Sequence, residues 1–405
     1  MKNKNAAIGF IFITLLIDII GFGIIIPVAP KLIAELKHVS INEAGKYGGL
    51  LLTVFALAQF LFSPIMGSLS DQFGRRPILL IALLGFAIDY LILAFAPSYN
   101  WFFVGRIIAG ITGASFTTAS AYIADISNEE TRAKNFGMIG AAFGLGFIIG
   151  PFLGGILGEY NIRYPFYAAA LLCFVNFLYG FFILPESLSK ENRRNFSWKK
   201  SNPFSSLTNL FNIKPIRFLL IAFMLLYIGS HAVQSNWAYF TMYRFAWSES
   251  IVGYSLAAVG ILVALVQTVI IRFTHKSFGD EKSIYIGFTL YSIGMLLFGL
   301  ANQSWMVFVF LIPYCLGGIS GPSLQSIMSA QVPANQQGEL QGGLTSLMSV
   351  TSIIGPLLMT NIFTHFTTQG NYHIPGSAFF AGALFMGIAA WLTYYSLKLK
   401  GHTTS

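Results

Sequence analysis

The chain has 405 residues, of which 55% are hydrophobic and only 10% are charged. Ordinary soluble domains carry about a quarter charged residues, so this composition excludes a water-soluble globular protein. The net charge of +9 could suggest a nucleic-acid partner, but the distribution of the charges along the chain has a simpler explanation. Apolar stretches long enough to cross a bilayer, which takes about 20 residues each, recur throughout the sequence.

Apolar stretches bounded by charges, prolines or asparagines predict about twelve membrane spans. Backbone polar groups in hydrocarbon must pair within their own segment, and the stretches lack the alternation of a membrane barrel, so each is predicted to be a helix. The first stretch has no small-residue cleavage signal and is predicted to be an uncleaved helix. The fold class is an all-α polytopic membrane protein. The predicted spans are 6–29, 47–69, 78–96, 101–126, 135–158, 164–184, 217–240, 249–272, 283–301, 303–330, 340–362 and 376–397.

The basic residues predict the orientation of the chain. With the N-terminus inside, 18 of the 24 Lys and Arg residues fall on cytoplasmic segments, five fall on outer segments, and Arg106 lies within a span. This is the positive-inside bias, so both termini are predicted to be cytoplasmic in a plasma membrane, here the bacterial inner membrane. Cys173 and Cys315 have no spacing suited to a metal or a disulfide framework and are predicted to be packing residues.

A polar segment at 185–217 is predicted to be a cytoplasmic basic linker between an N-terminal six-helix bundle, 1–184, and a C-terminal bundle with a short tail, 218–405. Its basic residues favour a solvated connector near anionic lipid headgroups over a ligand site. They are Lys190, Arg193, Arg194, Lys199, Lys200, Lys214 and Arg217. An internal repeat supports the division, because Gly110–Pro151 and Gly317–Pro356 share glycines and a terminal Gly-Pro. Parallel six-helix repeats are typical of transporters with alternating access.

The loop between the second and third spans reads Gly67-Ser-Leu-Ser-Asp71-Gln-Phe-Gly74-Arg75-Arg76-Pro77. Its glycines permit a tight turn, its proline suits the start of a helix, and its carboxylate and arginines can form a charge cluster. The loop resembles the signature GxLaDrxGRRP of the major facilitator superfamily, which implies a cytoplasmic gate in which the Asp holds two six-helix bundles together. The alternative is that the arginines only set the membrane topology.

The fourth span contains Arg106-Ile-Ile-Ala-Gly110-Ile-Thr-Gly113-Ala, which matches RxxxGxxGA in the fourth helix of that superfamily. On a continuous helix Arg106, Gly110, Gly113 and Thr117 share one face, so the Arg would lie among small residues rather than lipid. A charged residue inside a span costs about 2.5–3.5 kcal/mol on the insertion scale, which implies a partner. The alternative is that Arg106 snorkels to the outer end.

The fifth span contains Gly146-Phe-Ile-Ile-Gly150-Pro151-Phe-Leu-Gly154-Gly155. This matches gxxxGPxxGG, which marks antiporters in the superfamily. The glycines by themselves predict tight helix packing and a proline-linked kink, and the two interpretations are compatible.

Asp18 and Asp89 are the carboxylates well inside the spans of the first half. An acid that gains or loses an arginine partner, or moves between water and a dry site, can take up or release a proton. Asp18, Asp89 and Arg106 are therefore the candidates for proton coupling. A purely structural polar contact is the alternative for each carboxylate.

Most of the chain resembles the tetracycline/H⁺ antiporters. In the first half, residues at matching places include Asp125, which the resemblance adds to the cytoplasmic gate. In the second half the resemblance persists in Trp237, in Gln267 and in the Gln341–Pro356 segment. Val263 stands where enteric-type antiporters carry a His, and Tyr291 stands where they carry an Asp. The remaining matches in the first half are Asp18, Pro27, Gln59, Asp71, Arg75, Asp89 and Arg106.

His231 is the histidine nearest the middle of a span, and imidazole can titrate in the physiological range. It is predicted to replace the second-half relay or to contact substrate, and a helix–helix hydrogen bond is the alternative. Other polar or amphipathic groups within the spans are predicted to line a substrate cavity. They are Gln59, Asn176, Gln234, Trp237, Gln267 and Gln325.

The leading interpretation is a proton-coupled secondary exporter of amphiphilic drugs, with tetracycline-like compounds as the first candidate. A nutrient importer or facilitator of the same fold, or a non-transporting sensor, are the alternatives. The sequence shows no phosphate-binding glycine loop, nucleophile elbow or metal-ligand cluster, so neither enzymatic activity nor a cofactor or metal is expected. The expected partners are a small-molecule substrate, such as a drug or metal-chelated tetracycline, protons and the lipid bilayer. No nucleic acid is expected, and the protein is predicted to be a monomer.

Overall fold

The computed structural model describes residues 3–113, 115–196, 202–213, 216–333, 336–368 and 373–403. Every regular element in these residues is a helix. The helices before the predicted linker are α1 (Asn3–Ile25), α2 (Ala29–Lys37), α3 (Ile41–Phe73), α4 (Arg75–Phe95), α5 (Asn100–Thr112), α6 (Ser115–Ile126), α7 (Glu129–Tyr160) and α8 (Tyr164–Ile183).

The second half is also helical, and its first helix lies in the linker region. The helices are α9 (Pro203–Asn212), α10 (Arg217–Gln234), α11 (Trp237–Phe245), α12 (Glu249–Leu265), α13 (Ile271–Leu300), α14 (Ser304–Leu316), α15 (Ser320–Ala330), α16 (Gln337–Thr368) and α17 (Ser377–Thr403). A π-helical turn, Val266–Ile270, joins α12 to α13 without a break.

Eleven helical stretches in the described residues are long and apolar enough to cross a membrane. One of them, Glu249–Leu300, is 52 residues long. Inside it, Gly279 has φ 72° and ψ 174°, a conformation that only glycine adopts readily and that divides the stretch into two helices. The division reproduces the predicted spans 249–272 and 283–301, so the all-α, twelve-span fold is confirmed.

The fourth predicted span differs from the structure in its continuity. Helix α5 ends at Thr112 and α6 begins at Ser115, with Gly113 outside both helices. Arg106, Gly110 and Gly113 all lie against α3, beside Phe55, Ala58 and Gln59, as the predicted helical face requires. The continuous helix does not extend to Thr117, which lies on α6. The seventh predicted span, 217–240, is likewise divided between α10 and α11.

The chain forms two compact units that do not coincide with the two halves of the sequence. Unit 1 consists of 1–39, 54–203 and 247–260, and unit 2 of 40–53, 204–246 and 261–405. In unit 1 the central helix is α1, which packs against α6, α7 and α8. In unit 2, α10 packs against α16 and α17, and α13 packs against α14, α15 and α17. The core of unit 1 includes Phe10, Ile11, Leu15, Leu79, Leu83, Tyr122, Ile123 and Ala142.

Candidate proton-coupling and gating sites

An ion pair is buried between α4 and α5 in unit 1. The Arg106 Nη2 atom donates to Asp89 Oδ2, and the Asp89 side chain is fully buried. Gly105 makes this approach possible, because a Cβ there would lie 2.5 Å from Asp89 Oδ1. The guanidinium also lies 5.9 Å from the centre of the Phe55 ring. Arg106 therefore has a partner inside the helix bundle.

Tyr90 lies between the helices that carry the two candidate carboxylates. It is buried and directly follows Asp89 on α4. The hydroxyl lies against α1, because a Cβ on Gly21 would come within 2.6 Å of Tyr90 Oη. Gly21 is one helical turn from Asp18, so this buried phenol lies next to the α1 face that carries Asp18, an arrangement that was not predicted from the sequence. The sequence signal for this arrangement was the stretch Ala87-Ile-Asp89-Tyr90, in which the tyrosine follows the carboxylate.

The arginine of the signature loop is the centre of a charge cluster. Arg75 Nη1 lies 2.5 Å from Asp71 Oδ1 and 2.6 Å from Ser70 Oγ. Its Nε atom lies 3.2 Å from Asp125 Oδ2 on α6. The structure thus brings together three of the four charged side chains that were predicted to form the cytoplasmic gate, whereas Arg76 donates to the Phe181 carbonyl instead. A Cβ on Gly67 would have no neighbour within 4 Å, and nothing in the structure explains this glycine.

Glu186 caps the start of α4 and was not predicted from the sequence. Gly74, with φ 107°, turns the chain into the helix but has no side chain to cap it. Instead, Glu186 Oε1 accepts from the Arg75 N–H at 2.8 Å, and Oε2 accepts from the Arg76 N–H at 3.2 Å. A carboxylate at a helix N-terminus is stabilised by the unpaired N–H groups and the helix dipole.

We expect Glu186→Gln to lower the thermal stability of the purified protein, because it removes the negative charge that receives two N–H donors. Loss of a cap typically costs about 0.5–2 kcal/mol. Thermal unfolding followed by intrinsic fluorescence measures the change. Glu191→Gln is the matched control, since Glu191 lies in an exposed 3₁₀ turn of the same linker, where hydrogen bonds to its own backbone and to Ser189 lower the pKa of its carboxyl. Equal loss of stability in both variants would contradict the capping role.

The start of the linker is attached to the first half. Ser187 Oγ donates to Asp125 Oδ2 at 2.9 Å, and the Arg194 N–H donates to the Asp71 carbonyl at 3.0 Å. Tyr122 Oη donates to the Pro185 carbonyl at 2.8 Å. The predicted linker is therefore in part a component of the charge cluster. Its basic residues Lys199, Lys200 and Lys214 lie outside the described residues.

The glycines of the fifth-span motif form the contact between α7 and α1. A Cβ on Gly146 would lie 2.6 Å from Ile19 Cγ2, and one on Gly150 would lie 2.8 Å from the Ile20 carbonyl oxygen. A Cβ on Gly154 would overlap the Ile24 carbonyl. The predicted tight helix packing is confirmed. Pro151 lies inside α7 without ending it.

Gly155 lies next to a different helix from the other glycines of the motif. A Cβ there would lie 2.7 Å from the Glu249 carbonyl oxygen, at the start of α12 in the same unit. The Glu249 side chain is 4% exposed and pairs with Lys31 of α2, with 2.7 Å between Nζ and Oε2. This ion pair was not predicted from the sequence, because its partners are 218 residues apart. It lies at the helix ends that are predicted to face the outside.

His231 is buried against α16 in unit 2. It is 8% exposed, and a Cβ on Gly355 would overlap its imidazole ring. Gly355 precedes Pro356 in the second copy of the repeat. The histidine thus occupies the space that the glycine leaves free.

We expect Gly355→Ala to destabilise the protein by about 1–3 kcal/mol, the usual cost of overpacking. The double variant Gly355→Ala/His231→Ala should regain much of the lost stability, because it lacks the imidazole ring that the added methyl would overlap. Gly342→Ala is the control on the same helix, with no atom within 4 Å of its Cβ position. Thermal unfolding of the wild type and these three variants measures the effect, and absence of rescue in the double variant would contradict the contact.

The residues predicted to line a cavity differ in their surroundings. Gln59 Nε2 donates to the Gly113 carbonyl at 3.1 Å. Asn176 is 1% exposed, and its amide makes no hydrogen bond among the described residues. Trp237 is also 1% exposed and contacts the Phe298 ring, with 5.0 Å between centroids. Gln325 is half-buried, whereas Gln234 and Gln267 are exposed.

The positions of the two missing relay residues are occupied by apolar or aromatic groups. Tyr291 packs against Tyr314, with 5.2 Å between ring centroids, and Val263 is half-buried in α12. Cys173 and Cys315 are buried free thiols, which confirms their prediction as packing residues. In the part of the chain that the structure describes, no group of three His, Cys, Asp or Glu side chains could hold a metal ion.

In the described residues, eleven apolar helical stretches, one of them divided at Gly279, together with an internal repeat and an ion pair buried inside the bundle, define a polytopic transporter fold. The family model for the Major Facilitator Superfamily matches residues 11–244 and 219–404, and the chain belongs to that superfamily. It is 41% identical over 383 residues to the class C tetracycline resistance protein of Escherichia coli, covering 95% of each chain.

A second curated relative and a solved structure agree with this assignment. The class B tetracycline resistance protein of Escherichia coli is 36% identical over 404 residues, which cover 99% of this chain and all of that protein. The crystal structure of a bacterial homologue of the human lysosomal transporter Spinster, inward-facing and unoccupied, has a TM-score of 0.78 at 14% identity and covers 97% of each chain. At that identity the likeness shows the fold alone.

Proposed function

We propose that the protein is a proton-coupled secondary exporter of amphiphilic drugs, with tetracycline-like compounds as the first candidate. The observation that carries the proposal is the Asp89–Arg106 ion pair, which is buried within unit 1. The relationship to tetracycline resistance proteins over almost the whole chain supports it. The protein resides in the bacterial inner membrane as a monomer, with both termini in the cytoplasm.

The ion pair supplies the chemistry of coupling. A charge in a dry site needs a partner, so protonation of Asp89 would leave the Arg106 guanidinium without its counter-charge. Asp18 is the other carboxylate close to this group of residues, and it is the candidate to receive the released guanidinium. Uptake of a proton would thereby be linked to a rearrangement of α1, α4 and α5.

The Arg75 cluster is the candidate cytoplasmic gate. It joins α3, α4 and α6 to the start of the linker through Asp71, Asp125 and Ser187. Each helix would have to give up a charged partner when the cytoplasmic side changes conformation. Arg76 contributes on the other face of the loop, where Nη2 donates to the Phe181 carbonyl at 2.6 Å.

Residues of the second half bear on which drug the protein would transport. Val263 and Tyr291 provide no charge for a metal-chelated drug, and His231 is the candidate substitute. The candidate substrate contacts are Gln59 and Asn176 in unit 1, and Gln234, Trp237, Gln267 and Gln325 in unit 2. Nutrient import and membrane sensing are not favoured, because the nearly full-length relatives are drug-resistance proteins.

Everted membrane vesicles that contain the protein test the proposal. The vesicles are energised to an acid interior, and proton efflux is followed by acridine-dye fluorescence on addition of tetracycline with a divalent metal, then of other cationic or zwitterionic drugs. We expect drug-dependent proton efflux that vesicles without the protein do not show. No response to any drug, together with counterflow of a sugar or an amino acid, would reject the exporter in favour of the importer.

A further inference from the structure

A second group of hydrogen-bonded side chains lies in unit 2, near Gly279. His275 Nδ1 lies 2.7 Å from Asp280 Oδ1, and His275 Nε2 lies 2.9 Å from Ser323 Oγ on α15. Ser326 Oγ donates to Asp280 Oδ2. We call these four residues, His275, Asp280, Ser323 and Ser326, the His275 cluster. It joins the connection between the eighth and ninth spans to α15.

This connection has the backbone of the signature loop but the opposite charges. Phe278-Gly279-Asp280-Glu281 follows the pattern of Phe73-Gly74-Arg75-Arg76, and both glycines have a positive φ, 72° and 107°. In the first half, arginines at the helix start attract carboxylates from other helices. In the second half, the carboxylate follows the glycine and the cationic partner is an imidazole. The connection therefore has a titratable partner where the first half has a permanent cation.

The hydrogen bonds of the cluster accommodate an imidazolium. Ser323 Oγ has one proton, which it can donate to the Ile319 carbonyl at 2.9 Å. With that bond made, Ser323 Oγ can only accept from His275 Nε2, while Nδ1–H donates to Asp280. Both ring nitrogens then carry protons. In neutral His275, Nε2 has no proton, and the serine must give up the Ile319 carbonyl to donate to it.

The surroundings contain few other charges. Helix α15 contributes two serine hydroxyls and no charged side chain, and neither α14 nor the π-helical turn contributes a charged residue. Helix α17 contributes Lys398, whose Nζ lies 6.0 Å from the centre of the Tyr394 ring. Ser323 is fully buried, and the His275 and Asp280 side chains are 29% and 31% exposed. The charged neighbours on the same connection are Arg272, Lys276, Glu281 and Lys282.

We propose that the His275 cluster is a proton-binding site, in which a protonated His275 ties the connection around Gly279 to α15. The proton is held between Asp280 and Ser323, and Ser326 fixes the second oxygen of the carboxylate. Loss of the proton removes the charge attraction and one backbone hydrogen bond. The site lies outside the Asp18–Asp89–Arg106 group, and only its cytoplasmic location rests on the proposed orientation.

Histidine NMR on the full-length protein in lipid nanodiscs tests proton binding. The His275 signals are identified by their loss in His275→Gln, and their ¹⁵N shifts are followed between about pH 5 and 8, where imidazole changes charge. We expect both nitrogens to be protonated at the acid end. A His275 that stays neutral over the whole range would overturn the proposal.

Hydrogen–deuterium exchange tests whether protonation ties the connection to α15. We expect amides 279–283 of the wild type to be about two- to fivefold more protected at the acid end than at the alkaline end, after correction for intrinsic rates. His275→Gln should remove the difference. His373→Gln is the matched control, because His373 is also hydrogen-bonded through its ring, to Tyr243 Oη at 3.2 Å, but lies away from this connection. A pH-independent protection in the wild type would overturn the proposal. Neither measurement depends on transport, so a negative result would reject the proposal for the His275 cluster without bearing on the exporter assignment.

Ser, His and Asp side chains also form the nucleophilic triad of hydrolases. A hydrolase-type site is therefore the rival interpretation of the His275 cluster. Here Ser323 is fully buried and already donates to a backbone carbonyl, so a reactant would have no access to its oxygen. A fluorophosphonate probe distinguishes the two. We expect no labelling, and labelling that is lost in Ser323→Ala would overturn the proton-binding assignment.

Discussion

Arg106→Gln is expected to abolish drug-driven proton flux and to lower the thermal stability of the protein. The substitution leaves the Asp89 carboxylate, which is fully buried, without its cation. Removing one partner of a buried pair costs about 3–5 kcal/mol, because the remaining charge is uncompensated. Dye-monitored proton efflux from everted vesicles and thermal unfolding of the purified protein measure the two effects.

The double variant Asp89→Asn/Arg106→Gln separates coupling from folding. It removes both charges, so most of the lost stability should return, while the proton-carrying group is gone and the flux should stay absent. Arg163→Gln is the control for loss of an arginine. Arg163 Nη1 donates to backbone, to the Ala94 carbonyl at 2.7 Å and the Ala96 carbonyl at 3.1 Å, rather than to a carboxylate. Flux that survives in the double variant would exclude the pair as the coupling site.

The length of the apolar stretches and the residues that bound them predicted the spans and the charged side chains inside them. A lone Arg106 in an apolar stretch implies a partner whatever the fold, and Asp89 was already a candidate. The pairing itself depends on how α4 and α5 are rotated about their axes, which Gly105 determines by allowing close approach. Sequence spacing does not carry that information, because the partners lie on different helices.

Contacts between distant segments account for what could not be predicted from the sequence. Glu186 caps α4 from 111 residues away, and its role as a cap exists only because the linker folds back on the signature loop. The interruption at Gly113 was missed for a different reason. Glycines are common in membrane helices, so a glycine in an apolar stretch does not indicate whether the helix ends there.

The charged groups of the two halves have different chemistry despite the shared repeat. The first half carries Asp18, Asp89 and Arg106 within its spans, whereas the second half has Val263 and Tyr291 where the resemblance to enteric-type antiporters places a His and an Asp. The second half instead has histidines at two depths, His231 within a span and His275 beside Gly279. The groups proposed for proton coupling in the first half are thus carboxylates and an arginine, and those in the second half are imidazoles.

Gly154→Ala is expected to cause the largest loss of folded protein among the motif variants. The added methyl would overlap the Ile24 carbonyl, which belongs to the backbone of α1 and cannot turn away as a side chain could. Overpacking usually costs about 1–3 kcal/mol, and a backbone clash falls at or above the upper end. Yield of monodisperse protein and thermal unfolding measure the loss. Gly144→Ala on the same helix is the control, because its Cβ position has no neighbour within 4 Å.

The comparison of Gly154→Ala with Gly155→Ala decides between the two interpretations of the motif. Gly154 faces α1, whereas Gly155 faces the Glu249 carbonyl at the start of α12, next to the Lys31–Glu249 ion pair. If the glycines serve packing alone, both variants should lose stability and transport in the same proportion. If the motif serves antiport, Gly155→Ala should lose more transport than Gly154→Ala for the same loss of stability, because its added methyl meets the Glu249 carbonyl of α12 and leaves the α1–α7 contact intact. A Gly155→Ala variant that transports normally would restrict the motif to the packing of α7 on α1.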